Sequence, residues 1–480
     1  MADGSNHRKA VNMSNSIHRK TIGAVIAVSA ALVLTGCAAP SGGSASQTAS
    51  NAVSADNPFG VTPGSTIDAV IFNGGYKTDY VNYAGTVLNS TFPDVKVAVS
   101  ESTQIAQELQ PRFVGGNPPD LVDNTGSGSI PMASIIDQLA PLDDLWASTN
   151  YDGTKLADAV FPSAIKAGTF NGKKVAVPYV MTVYSLWYSQ SLFDANGWTP
   201  PKTWDEMMNL CEKASAQNLY CFVYGKEAAA YWQWMLLDSA IKSGGYDVIT
   251  NVANLKPNAW SDPSIQAVLG KMYEAVQKGY VNPGGAGMQF TQAQALWSND
   301  QKALFYESGS WIENEMKNAT ADNFQMTAWP NPTLTSTPAL PFESVQTAAS
   351  EVYIVPAGAA NVAGGKELLR AMLSKEAASN FSKTRLAPTI VKDTVPADGY
   401  GSTALASAMS LMNKAGTNTW GYASGGFTTY YAMSKDLLAA WNSFLSGEMD
   451  VAQMTSTLQG ISDAAAADPS IEKMTYTFGS

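Results

Sequence analysis

Apolar and polar positions begin to alternate with regular periods at Thr66. Ile67-Asp68-Ala69-Val70-Ile71-Phe72 is a short apolar run of strand length, and Asn73-Gly74-Gly75-Tyr76 turns out of it. Residues 78–91 carry helical spacing, Val95 to Val99 form a second strand, and 103–114 form a second helix broken by Gly115-Gly116-Asn117-Pro118-Pro119. A third short strand, Asp120-Leu121-Val122, ends in Asp123-Asn124-Thr125-Gly126. Strands that alternate with helices predict a parallel sheet with crossovers, in which ligands sit beyond the carboxyl ends of the strands. Here those ends are Asn73–Tyr76 and Asp123–Gly126. Further on, Leu139 to Leu145 is a turn into a helix, Val175–Val177 is a strand interrupted by Pro178, and Val180 to Tyr188 is a second strand-like run. Thr203, with Glu206 three residues later, predicts a capping box at the next helix. Glu227 to Ile241 reads as a helix, Ala303–Tyr306 and Val352–Val355 as strands.

The first 60 residues follow another pattern. Arg8, Lys9, Arg19 and Lys20 precede an apolar run from Ile22, too short for a permanent membrane span and of signal-peptide length. It ends Leu34-Thr35-Gly36-Cys37, which resembles a bacterial lipobox. The expectation is a signal peptide over 1–36, a lipid-modified Cys37 at the mature terminus, and a Ser/Ala/Gly-rich tether over 37–59 that places the body outside the cytoplasm, anchored to the cell membrane.

Composition narrows the chemistry. Removing residues 1–36 leaves 444 residues and, through the loss of four basic residues and Asp3, takes the net charge from −11 to −14. An acidic chain disfavours nucleic acid. His7 and His18 both lie in the leader, so the mature chain holds no histidine for triad catalysis or metal ligation. There is no G-x-S-x-G, P-loop or C-x-x-C. No cofactor, metal or catalytic residue is expected, and the enzyme class left open is a glycosidase working through two carboxylates. Cys211 and Cys221 remain as an even pair in an oxidising compartment and read as a disulfide, with two buried thiols as the alternative.

The stretch from Phe170 to Ala214 carries a Gly-Lys turn, a strand with Pro, a strand ending in Tyr, then Leu-Phe, Gly, Pro and Thr-Trp-Asp-Glu. Together with Asn-Pro-Pro-Asp-Leu-Val, Leu-Ala-Pro-Leu-Asp-Asp, Phe305 to Trp311 and Glu351 to Lys375, it resembles extracytoplasmic solute-binding lipoproteins of carbohydrate ABC transporters over residues 66–465. Within that family LVDNTGSG, GTFNGK, SLWYS, SGSWIENEM and EVYIVP look most like binding proteins for N-acetylglucosamine and diacetylchitobiose. The resemblance implies a periplasmic-binding-protein-like α/β fold: two lobes, a multi-segment hinge, and ligand in the cleft. Crossings are expected near Pro178–Val180, Ala328–Thr335 and Arg385–Thr389. That puts 60–179 and 330–385 in lobe 1, and 180–329 and 386–480 in lobe 2. It also implies a monomer that delivers sugar to permease subunits. Malto-, xylo- or galacto-oligosaccharides are the alternative ligands, and a cell-wall binder or adhesin the alternative role.

All 12 Trp and 20 Tyr lie in the mature chain, so position rather than type must pick the sugar platforms. Trp311, beside Gly309-Ser310 at a strand-to-helix turn, is the stacking residue that the resemblance implies. Asp123 and Asn124 sit at a strand end, where they either bind hydroxyls or cap the turn. Tyr184 lies on the strand after the first crossing, sharing a face with Tyr188. Trp232 and Trp234 point about 200° apart on a helix, so at most one faces the cleft. Tyr76, Tyr224, Glu351 and Tyr430 complete the set of expected ligand contacts.

Overall fold

The computed structural model describes residues 53–126, 128–422 and 426–479. The expected leader, the Cys37 lipidation site and most of the 37–59 tether lie outside the described residues. Among the described residues no helix is long and apolar enough to cross a membrane.

The strands in chain order are β1 (Thr66–Phe72), β2 (Lys96–Ser102), β3 (Leu121–Asp123), β4 (Thr169–Phe170), β5 (Lys173–Lys174), β6 (Ala176–Ser189), β7 (Tyr220–Phe222), β8 (Ala303–Gly309), β9 (Met326–Trp329), β10 (Val345–Ile354) and β11 (Thr419–Trp420). β4 and β5 form a small hairpin. The other nine make one sheet in the order β2-β1-β3-β10-β6-β8-β7, with β11 beside β10 and β9 beside β6. β1 pairs in parallel with β2 and β3, as the strand–helix–strand pattern predicts. The Asp79–Asn89 and Ile105–Val114 helices form the crossovers. Ile67, Ala69 and Ile71 on β1 pack with Val81, Leu88, Leu369 and Phe381 in the first lobe's core.

Pro178 does not interrupt its strand. β6 runs unbroken for 14 residues, all of them buried. A proline removes a single donor, and the pairing on either side, Val177 with Tyr353 and Val180 with Ser350, carries the ladder past it. Burial on both faces explains why this stretch is continuously apolar rather than alternating.

β6 and β10 are the strands that join the two lobes. They pair antiparallel from Ala176↔Ile354 to Tyr184↔Gln346. The front half of β6 lies with first-lobe elements, and its far half pairs with β8 and β9. β10 starts beside β11 and ends beside β3, at Tyr353↔Asp123. Residues 330–344 stay against the second lobe, where Thr333 bridges Thr203 and Lys242 Nζ donates to the Asn331 carbonyl at 2.7 Å. A third segment lies along β6, with Met181 N–H bonded to Pro388 O and Ile390 N–H to Tyr179 O, both at 2.9 Å. It continues to the Thr403–Ala415 helix, whose Ser407 accepts from the Ala328 amide.

The second lobe is largely helical. The Thr203–Glu206 capping box forms at the start of Trp204–Ser215, and the Trp232–Gly244 helix lies at its centre. On the latter, Asp238 and Lys242 are fully buried, together with Glu307 and Asn331. Burial pushes Asp238 up to about 6 and Lys242 down to about 8, each partly opposed by the other's charge. Asn331 Nδ2 bridges the Asp238 and Glu307 carboxylates, and Trp420 Nε1 donates to Asp238 at 2.9 Å.

Cys211 and Cys221 are joined by a disulfide that ties the Trp204–Ser215 helix to β7. Closing a loop of this length contributes about 3 kcal/mol on the chain-entropy account. The Cys211→Ser/Cys221→Ser double variant should lose about that much stability in denaturant melts. An unchanged midpoint would show that packing alone holds the helix to the strand.

Candidate functional site

The three segments that join the lobes bring together side chains from distant parts of the sequence. From the first lobe come Tyr76, in the turn after β1, and Asp123, the last residue of β3. Glu351 comes from β10 itself. Glu351 has φ 53°, in the left-handed region, within an otherwise regular strand. Its neighbours Ser350 and Val352 keep their register with Val180 and Pro178. Such a conformation costs a non-glycine residue about 1–3 kcal/mol and persists only where its surroundings enforce it. Two cross-strand bonds lie next to it: Thr182 Oγ1 to Ser350 Oγ at 2.8 Å, and the Val352 amide to Thr125 Oγ1 at 2.9 Å.

From the second lobe come four rings. Tyr231 and Trp234 stack with centroids 4.1 Å apart. Tyr184 meets Trp234 edge-on at 4.6 Å and Trp311 at 5.6 Å. Trp311 lies 6.0 Å from both Tyr231 and Trp234, nearly perpendicular to each. Tyr231 and Trp234 are three residues apart at the start of a helix, which puts them on one face. Gly309 is required here: a Cβ at that position would lie 2.0 Å from Trp311 Cζ3. Its absence lets the indole fold back over the end of β8. Tyr231, Trp234 and Trp311 are each half-buried, so the cage keeps exposed aromatic faces. Trp311 also packs against the first lobe's core. Beside it, Asn314 Nδ2 donates to the carbonyl of Gly75, linking the two lobes directly.

The polar side of the site is acidic. Asp123 is fully buried and its carboxyl is pushed up to about 7, mainly by burial, against the opposing effect of the Thr125 hydroxyl and other donors. Glu351 is pushed well above the usual carboxylate range by burial and then by Asp123. The Asp123 carboxyl is surrounded by Thr125, Glu351, the Phe72 backbone and the Tyr353 phenol, yet its Oδ2 receives no hydroxyl or amide proton in bonding geometry. Tyr80 and Tyr353 meet hydroxyl to hydroxyl behind it. Tyr76 is buried, its phenol raised by burial and then by Glu351, Tyr184 and Glu315. Glu315 itself is exposed, and Gln294 Nε2 donates to its carboxylate at 2.8 Å.

Of the residues the sequence singles out, Tyr76, Asp123, Tyr184, Trp234, Trp311 and Glu351 gather here. Asn124 lies next to them, but its amide is committed within its own loop: Nδ2 donates to the Ile130 carbonyl and Oδ1 accepts from the Ile130 amide. Trp232 points the other way from Trp234, into the second-lobe core at 2% exposure, against Phe222 and Tyr224. Tyr224 is buried in that same core, pushed up to about 12 mainly by burial. Tyr430 packs on Tyr431, whose hydroxyl accepts from the Met474 amide, so the pair serves the C-terminal segment. Sequence reasoning missed Tyr231 and Glu315. Helical spacing from Trp234 was the available signal for Tyr231. No signal existed for Glu315, which depends on lobe contact. Among the described residues, no cluster of three or more His, Cys, Asp or Glu is arranged to hold a metal.

The family pattern described as bacterial extracellular solute-binding protein matches residues 62–379. The chain is 55% identical over 421 residues to the diacetylchitobiose binding protein NgcE of Streptomyces coelicolor, covering 88% of this chain and 89% of that one. Among solved structures, a chitin oligosaccharide binding protein aligns with TM-score 0.65 at 17% identity, over 84% of this chain and 99% of that one. RafE in complex with raffinose aligns with TM-score 0.65 at 19% identity, over 84% and 100%. At such identities these two structures speak to the fold.

The contrast between the two neighbouring tryptophans is testable. Trp232→Ala removes a fully enclosed ring and should cost about 3–5 kcal/mol of stability. Trp311→Ala removes a half-buried ring and should cost less than half as much. Equal losses in thermal and denaturant melts would contradict the placement of Trp311 at an open face.

Proposed function

This chain belongs to the bacterial extracellular solute-binding protein family, and from that premise we propose that it is the sugar-capturing subunit of an ABC importer. Its ligand is N-acetylglucosamine or its β-1,4 dimer, held between the lobes and handed to membrane permease subunits. The observation that carries this reading is the cage of Tyr184, Tyr231, Trp234 and Trp311 at the junction of the lobes. A pyranose ring presents a face of C–H groups, and laying it on an indole removes both surfaces from water. Burying about 50 Å² of apolar surface this way is worth roughly 1–1.5 kcal/mol. Hydroxyl and acetamido groups then find acceptors and donors in Glu351, Tyr76 and the exposed Glu315. The 55% identity to a diacetylchitobiose binding protein favours N-acetylated sugars over malto-, xylo- or galacto-oligosaccharides.

The lobes divide along the strand pairing. The chain crosses on β6 near Thr182, returns on β10 near Ser350, and crosses again beyond Val391. Closure over the sugar shifts a population between open and closed forms and requires no bond breaking. Hydrolysis by two carboxylates needs them about 5–10 Å apart across the scissile bond, whereas Asp123 and Glu351 are in contact. The protein acts as a monomer outside the cytoplasm, held to the membrane by lipid on Cys37.

A calorimetric screen of N-acetylglucosamine, diacetylchitobiose, maltose, xylobiose and raffinose tests this. The N-acetylated sugars should bind, and Trp311→Ala should weaken binding about tenfold, the equivalent of 1.4 kcal/mol. Preference for maltose or raffinose would overturn the assignment of the sugar. Cleavage of diacetylchitobiose on incubation would overturn the binding-only role.

A further inference from the structure

Asp123 and Glu351 are two carboxyl groups packed against each other inside the protein. Among the described residues neither ion-pairs with a cation, and no lysine or arginine is among the groups acting on either. The titratable neighbours are the Tyr80 phenol from the Asp79–Asn89 helix, Tyr353 from β10 and Tyr76 from the turn after β1, and Tyr76 in turn faces Tyr184 from β6 and Glu315 at the rim. The phenols are neutral in this setting. Two contacting carboxylates in such surroundings cannot both be ionised, because neither water nor a counter-charge relieves their repulsion. The orphaned Oδ2 of Asp123 is the same fact in hydrogen-bond terms: an enclosed acceptor whose missing donor is a proton held between the two acids.

We propose that Asp123 and Glu351 share one proton, and that this proton fixes the Glu351 carboxyl against Asp123 so that its outward oxygen can accept from a sugar N–H or O–H. Sugar capture is then proton-linked. This rests on the reading of the cleft as a sugar seat. The geometry supports it on the backbone side as well. Glu351 occupies a left-handed conformation in mid-strand, and Asp123 is the group its carboxyl meets. When the pair loses its last proton, two like charges face each other in contact, and Glu351 is pushed out of the position from which it binds. Burial and the mutual repulsion both disfavour ionisation of the pair, so this loss falls on the alkaline side of neutrality.

The test is the affinity for diacetylchitobiose between pH 6 and 10, measured by calorimetry in two buffers of different ionisation heat. Wild-type affinity should be level near neutrality and then fall by up to tenfold per pH unit, with uptake of one proton on binding in the alkaline limb. In Glu351→Gln the side-chain amide donates permanently to Asp123 in place of the shared proton. Whatever affinity this variant keeps should be flat with pH and carry no proton uptake. Asp123→Asn, which donates in the opposite direction, should do the same and serves if the first variant folds poorly. Wild-type binding with a flat profile, or a decline of the same shape in both amide variants, overturns the shared proton and leaves the sugar seat standing. Absence of sugar binding by the wild type at every pH overturns the sugar seat itself.

Discussion

The antiparallel pairing of β6 with β10 is the constraint on which the rest depends. Nine residues of β6, from Ala176 to Tyr184, span the ladder, and its two ends belong to different lobes. Every candidate contact is referenced to it. Tyr184 and Glu351 lie on the two strands themselves, Asp123 is one strand away through β3, and Trp311 follows β8, which pairs with Tyr184 at Gly309. The polar bonds that lie on this pairing, Thr182 to Ser350 and Val352 to Thr125, are side-chain bonds that can change without breaking the ladder.

Much of this was legible in the chain. The β1–β3 parallel unit and the capping box at Thr203 follow from period and local chemistry, because both are decided within about 60 residues. Trp234 over Trp232 could not be chosen, since helical geometry says that the two diverge but not which side the sheet lies on. Pro178 differs from expectation for a related reason: a missing donor breaks an isolated strand, but here the ladder to β10 resumes both before and after it. The Ala328–Thr335 stretch, expected as a crossing, carries Asn331, whose carbonyl accepts from Lys242, buried far away in sequence. Asn124 looks like a ligand contact in sequence and is a loop clamp in space, a difference decided by the Ile130 backbone six residues on.

The two buried acidic clusters solve the same electrostatic problem in opposite ways. Asp238 and Glu307 share the field of the Lys242 cation; both accept from Asn331 and Asp238 also from Trp420, which suits a permanent brace in the second lobe. Removing one partner of such a set leaves an uncompensated charge, so the set behaves as a unit. Asp123 and Glu351 have no such cation, and they sit at the joint between the lobes beside a strained residue. A buried charge without a counterion is expensive as architecture. Its position next to an open aromatic cage fits a site that is completed by a ligand.

The most direct test of the central claim is a crystal structure of the protein with diacetylchitobiose. The account predicts one sugar ring lying on Trp311 or Trp234, with an oxygen of Glu351 within hydrogen-bonding distance of a sugar hydroxyl or amide. A sugar bound elsewhere, such as the second-lobe surface between Lys202 and Phe342, with the cage rings still packed on one another, would contradict it.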